Sequence, residues 1–233
     1  MGPPRPDTLT TRVATTPDRR NVPLYHAGPL NPNGGTMPDL AQPIDASDHS
    51  RGPIDAAVSL LEYGDFECPN CKQAVPVVKL LLERFADRIR FVYRHFPLEG
   101  VHPHALQAAI AAEAAGAQDR FWPMHDQLFA GQQHLAPHDL RAYATTLGLD
   151  LDRYDADIAE NRHLARVRDH LRSGEASGVR ATPTFFIDGR ICDVSYGLQA
   201  LVEGVETALR SHERHANAAT PTLAKAKSKP ADR

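Results

Sequence analysis

Cys68 and Cys71 stand three positions apart where an apolar run gives way to a long amphipathic stretch. No other feature limits the possible folds as much. Residues 56–63 are apolar and bounded by Gly52-Pro53 and Gly64-Asp65, the pattern of a buried strand. Residues 72–86 carry Val75, Val78, Leu80, Leu81, Leu82 and Phe85 at roughly helical spacing, with Pro76 among them predicting a kink. A strand running straight into a helix places Cys68 at the helix start, where unpaired backbone N–H groups and the helix dipole favour an anion.

Such a pair serves either thiol–disulfide exchange or metal binding. Structural zinc takes a full set of protein ligands, and the 233 residues contain only one further cysteine, Cys192. The strand-then-helix setting favours redox chemistry, with a zinc-holding binding module as the alternative. A free cysteine titrates near pH ~8.5, and the dipole, at about 0.3–1 kcal/mol, moves it by less than a unit. Further lowering needs hydrogen bonds from the Cys71 N–H, the Cys71 thiol or the Asn70 amide. Asn70 is uncharged, so less thiolate stabilisation is expected than with a histidine there. Cys71, one turn further in, is expected to be buried and to attack a mixed disulfide at Cys68.

Two further features bear on this chemistry. Glu62 closes an otherwise apolar run. If buried, its carboxyl titrates high and can take the proton that Cys71 loses; the alternative is a solvent-facing strand end. Thr182-Pro183 precedes the apolar residues 184–187, where proline can start a strand. By residue statistics alone its peptide bond is trans.

Around these features the chain reads as β-α-β, then helices over 104–117, 121–130, 139–147 and 161–173. Strands at 184–187 and 191–194 and a helix over 198–209 follow. The order places a parallel βαβ unit before an antiparallel hairpin. Ten of the nineteen prolines precede Ile54, so residues 1–52 read as an extended or disordered leader, and residues 214–233 as a flexible tail. The formal net charge of -3 argues against a nucleic-acid binder. No apolar run suits a secretory signal or a membrane span, which makes a cytoplasmic location without membrane contact the expectation. His102-Pro103-His104 reads as a helix start, His125-Asp126 as a helix-face pair, and Phe121, Trp122, Met124 and Phe129 as core.

Taken together, residues 62–71 (Glu-Tyr-Gly-Asp-Phe-Glu-Cys-Pro-Asn-Cys), 93–98, 102–105, 120–126, 147–150 and 178–189 resemble the thioredoxin superfamily, in particular its DsbA-like branch. The resemblance spans about residues 52–213. It implies an α/β thioredoxin-like fold, a central mixed sheet flanked by helices, over residues 53–213, with an all-helical insertion at about 96–178. It implies that Cys68 is the nucleophile and Cys71 the resolving thiol, in a motif with Pro69 and Asn70, and that Glu62 is the buried acid. It also implies that Thr182 and a cis Pro183 bind the substrate backbone. The activity implied is exchange with protein or peptide thiols and disulfides, without cofactor or metal. Glutathione or a thioredoxin-type protein is the further redox partner to consider, and action on glutathione or another small thiol or peroxide is the enzymatic alternative. Similar domains are sometimes fused to sodium/proton antiporters. Asn70 departs from the histidine of DsbA itself and leaves the direction of electron flow open.

Overall fold

The computed structural model describes residues 40–219; the greater part of the expected leader and the last residues of the expected tail lie outside that range. A five-stranded sheet has the order β1-β3-β2-β4-β5. Its strands are β1 (His49–Arg51), β2 (Val58–Gly64), β3 (Ile89–His95), β4 (Thr184–Ile187) and β5 (Arg190–Cys192). β2 and β3 run parallel, and the remaining pairings are antiparallel. This is the thioredoxin-like mixed sheet that the sequence resemblance implies.

The parallel pair needs a crossover, which α1 (Pro69–Arg84) supplies. Pro69 sits in its first turn, where a missing N–H costs nothing and a fixed φ suits the helix. The helix runs on through the exposed Pro76 despite the kink expected there. Between β3 and β4 lie α2 (Ala105–Gly116), α3 (Phe121–Ala130), α4 (Pro137–Thr146), α5 (Leu151–Ala159) and α6 (Leu164–Ala176). The last helix is α7 (Gln199–Ala219). No helix among the described residues is long and apolar enough to cross a membrane.

Side chains alternate across β2 and so divide the core. Val58 and Leu60 join Phe91, Tyr93, Phe185 and apolar residues of α1, α2, α3 and α7. Leu61 and Tyr63 join Leu40, Val92, Phe96, Val179 and Phe186 on the other face. There α6 comes so close that a Cβ on Gly174 would lie 2.7 Å from the Phe96 ring. Because both faces are covered, β2 reads as a nearly continuous apolar run, while β3 alternates, with Ile89, Phe91 and Tyr93 on one face and Arg90 and Arg94 on the other.

Two expectations change at the ends. Residues 40–51, read as the end of a leader, are built into the domain. Leu40 is buried, β1 pairs with β3, and Asp48 forms an ion pair with the fully buried Arg94 at 2.8 Å. Proline-rich composition hid this because tertiary partners order the segment and it has no periodicity of its own. At the other end α7 continues past Leu209 into the expected tail. Arg84–Glu206 and Arg88–Glu213 ion pairs (both 2.7 Å) tie its exposed face to α1 and the following turn.

Candidate active site

Cys68 caps α1 with an extended backbone (ψ 121°), and no side chain caps that end. The N–H groups of Asn70 and Cys71 are therefore free to face the Cys68 sulfur. They lower its pKa, together with Thr182 and, most of all, the Cys71 thiol; the result is about 5 despite burial. Hydrogen bonds from the Cys71 thiol and from backbone N–H groups were the source expected from the sequence. The Asn70 side chain lies exposed. In the thiol form Cys68 donates to the carbonyl of Thr182 at 3.2 Å.

Cys71 is fully buried, and its pKa is pushed well above the usual range by burial first, then by the Cys68 sulfur and Glu62. Its sulfur accepts the Asp65 N–H at 3.5 Å. The two thiols therefore differ sharply at neutral pH: Cys68 is an anion and Cys71 holds its proton. Both are free thiols in this structure.

Glu62 sits mid-strand between Tyr93 of β3 and Phe185 of β4. It is buried, and its Oε1 has no hydrogen-bond partner among the described residues. Desolvation, followed by the nearby Cys68 charge, raises its pKa to about 8. Of the two readings open in the sequence, the structure has the buried one. The Thr182–Pro183 peptide bond is cis, and the Thr182 hydroxyl is buried without a partner among the described residues. The turn before β4 thus brings residue 182 to residue 68.

Several residues around this centre escaped the sequence reading. Gln132, in the turn after α3, donates from Nε2 to the carbonyls of Phe66 (2.9 Å) and Cys68 (2.8 Å). Asp65 accepts the Glu67 N–H at 2.8 Å, the Leu98 N–H at 2.9 Å and His102 Nδ1 at 2.8 Å. That pairing raises the His102 pKa against the opposing effect of partial burial. A groove of about 450 Å³ beside the motif is lined by Glu67, His102, His104, Gln132 and Asp139 among others. His95 lies buried at the end of β3 and contacts Glu113 at 2.9 Å. Glu113 also meets His49 (3.0 Å) and Arg166 (2.9 Å), which ties β1, β3 and α6 to α2. His95, Glu113 and His170 bring donor atoms within 4.8 Å of one another, but Glu113 is already engaged by this network. Cys192 lies on β5, its sulfur 3.8 Å from the carbonyl of Ala200.

The sequence model of the family described as Thioredoxin matches residues 45–207. The chain belongs to the thioredoxin family. Within that family its fold is DsbA-like. The crystal structure of oxidised BdbD from Bacillus subtilis superposes with a TM-score of 0.64 at 21% identity, covering 70% of this chain and 93% of that one. Alpha-DsbA1 of Wolbachia pipientis gives a TM-score of 0.64 at 18% identity, over 76% of this chain and 98% of that one. By sequence, the chain is 50% identical over 171 residues to Na(+)/H(+) antiporter NhaA 1 of Salinispora arenicola, which covers 73% of this chain and 26% of the antiporter. The chain thus spans about a quarter of the length of that curated relative.

Proposed function

We propose that this thioredoxin-family protein is a thiol–disulfide oxidoreductase that exchanges a Cys68–Cys71 disulfide or dithiol with protein or peptide thiols. The observation that carries the reading is the split between the two thiols: an ionised Cys68 at a helix start and a protonated, buried Cys71 one turn in.

In the reducing direction the Cys68 thiolate attacks a substrate disulfide, forming a mixed disulfide and releasing one substrate thiolate. Cys71 then attacks the Cys68 sulfur, the second substrate sulfur leaves with the bond's electron pair, and the Cys71 proton passes to Glu62. The oxidising direction reverses each step. Glu62 suits both directions: burial and the Cys68 charge hold its proton in the resting dithiol. Once Cys68 is bound in the mixed disulfide that charge is gone, so the carboxyl ionises more readily and can take the Cys71 proton. Thr182 and Pro183 flank the reacting sulfur and are the groups we assign to the substrate backbone. The groove at Glu67, His102 and Gln132 can seat the residues beside the substrate cysteine.

The test is turnover of insulin disulfides and of a glutathione mixed disulfide by the wild type and by Cys68→Ser. Loss of both activities in the variant supports the reading; undiminished activity overturns it. Wild-type turnover of the glutathione substrate alone would redirect the protein to small thiols.

A further inference from the structure

The buried part of the site reaches a second cavity, lined by neither Cys68 nor Thr182. It has a volume of about 270 Å³, and its walls include Glu62, Val78, Phe91, His125, Asp126 and Arg51. Two buried polar atoms on these walls, Glu62 Oε1 and His125 Nε2, have no hydrogen-bond partner among the described residues. The Tyr93 hydroxyl, opposite Glu62 in the sheet and with its ring 4.8 Å from that of His125, is a third such atom. Buried polar atoms without protein partners are normally met by ordered water, and a cavity of this size holds several.

The other nitrogen of His125 is fixed. Nδ1 lies 2.9 Å from Asp126 Oδ1, so it carries the proton, and a neutral ring then presents an unprotonated Nε2. Asp126 is half exposed and holds Arg51 at 2.6 Å through its other oxygen. Arg51 in turn stacks 4.4 Å above the Trp122 ring. A carboxylate at the surface, an imidazole in the wall and a buried carboxyl therefore share one cavity.

We propose that this cavity is the route by which Glu62 exchanges protons with solvent, with His125 as the relay and Asp126 as its outlet. The proposal rests on the oxidoreductase reading. When Cys71 attacks, its sulfur bonds to that of Cys68, the bond to the partner breaks, and the partner leaves as a thiolate. The Cys71 proton, held on Glu62, crosses cavity water to His125 Nε2. The Nδ1 proton then leaves by way of Asp126 to solvent, which leaves a neutral ring with its proton on Nε2. The opposite half of the redox cycle, in which Cys71 regains a proton, runs the relay backwards and resets the ring. A charged carboxylate is thus regenerated in the core for the next cycle without opening the substrate face. The groups facing His125 are Asp126 on α3, Arg51 on β1, Glu62 on β2, Tyr93 and His95 on β3, and Lys79 on α1.

The experiment loads Cys68 with 2-nitro-5-thiobenzoate and follows release of the coloured thiolate in a single turnover. In His125→Ala, release should slow about a hundredfold, the lower end of the range for loss of a proton-transfer group, and added imidazole should restore it. In Glu62→Gln, release should slow without imidazole rescue. Asp126→Asn, a change at the surface, should slow release while leaving the initial loading of Cys68 unchanged. Wild-type release in His125→Ala or Asp126→Asn, or a slowed His125→Ala that imidazole does not restore, overturns the proposal. If the wild type is not loaded at Cys68 at all, the oxidoreductase reading itself fails.

Discussion

The sulfur of Cys68 lies 3.2 Å from the carbonyl oxygen of Thr182, a residue 114 positions away in sequence. In the thiol form the two make a hydrogen bond. Ionisation removes the donor, and the thiolate is held instead by the Cys71 thiol and by backbone N–H groups. The carbonyl is then free to accept another donor. A substrate main chain brings one, so the same event that arms the nucleophile opens a place for the partner.

The Cys68 pKa of about 5 has a consequence for the reduction potential. The ionised thiol stabilises the reduced form relative to a thioredoxin whose nucleophile titrates near 7. At pH 7 the difference is roughly 2 kcal/mol, or about 50 mV, so the expected potential lies above thioredoxin's, on the order of -220 mV. Equilibration with glutathione buffers measures it, and a value at or below thioredoxin's would contradict the thiolate argument.

Glu62→Gln should stabilise the protein and lower its exchange rate together. With its pKa raised by burial to about 8, the folded state holds a proton that the unfolded chain releases above pH about 4.5. Stability therefore falls as pH rises from about 4.5 to about 8, by roughly 3 kcal/mol at pH 7. Urea titrations from pH 5 to 8 should show stability rising more steeply, or falling less, with pH in the glutamine variant than in the wild type.

Gln132→Ala should loosen the motif loop. It removes two hydrogen bonds to the carbonyls of Phe66 and Cys68 and leaves both acceptors without that donor. A loss of about 1–3 kcal/mol is expected, with faster amide exchange around Cys68. Amide exchange at wild-type rates would show that backbone contacts alone hold the loop.

Acid should unfold the protein early. Burial keeps His170 neutral, with a pKa near 3, and lowers His95 and His125 as well. For a group whose folded pKa is depressed, the stability is complete above the unfolded value near 6.5 and is lost as pH falls. His170 costs up to about 1.4 kcal/mol per pH unit between about 6.5 and about 3, and His95 and His125 act in the same direction. Thermal melts of His170→Asn between pH 7 and pH 4 should fall less steeply than those of the wild type.

The cysteine pair and the elements around it were legible because their signals are local: a spacing, an apolar strand, a helical period. Glu62 was legible as a single acid in apolar company. Gln132, Asp65, His102 and His125 were not, since each looks like an ordinary polar residue until the chain folds. Gln132 reaches back 66 residues and His102 reaches back 37. The nine-residue α5 was missed because Leu151, Tyr154 and Ile158 are its only large apolar side chains. His125 and Asp126 were read as a helix-face pair, and the hydrogen bond between them exists, but nothing local in the sequence shows that the imidazole is buried.

Arg94 is a guanidinium with no exposed surface, and its partners are Asp48, the carbonyls of Gln42 and Pro43, and Tyr63. Three of these four precede Gly52. A truncation made at that glycine, where composition changes, would strand a cation beneath the sheet with only a phenol to meet it. Stripping one side of a buried ion pair costs about 3–5 kcal/mol, a large share of a domain's stability. A fragment that keeps every Arg94 partner therefore begins near Leu40, and a shorter one should hold its redox centre in a domain weakened by about that much.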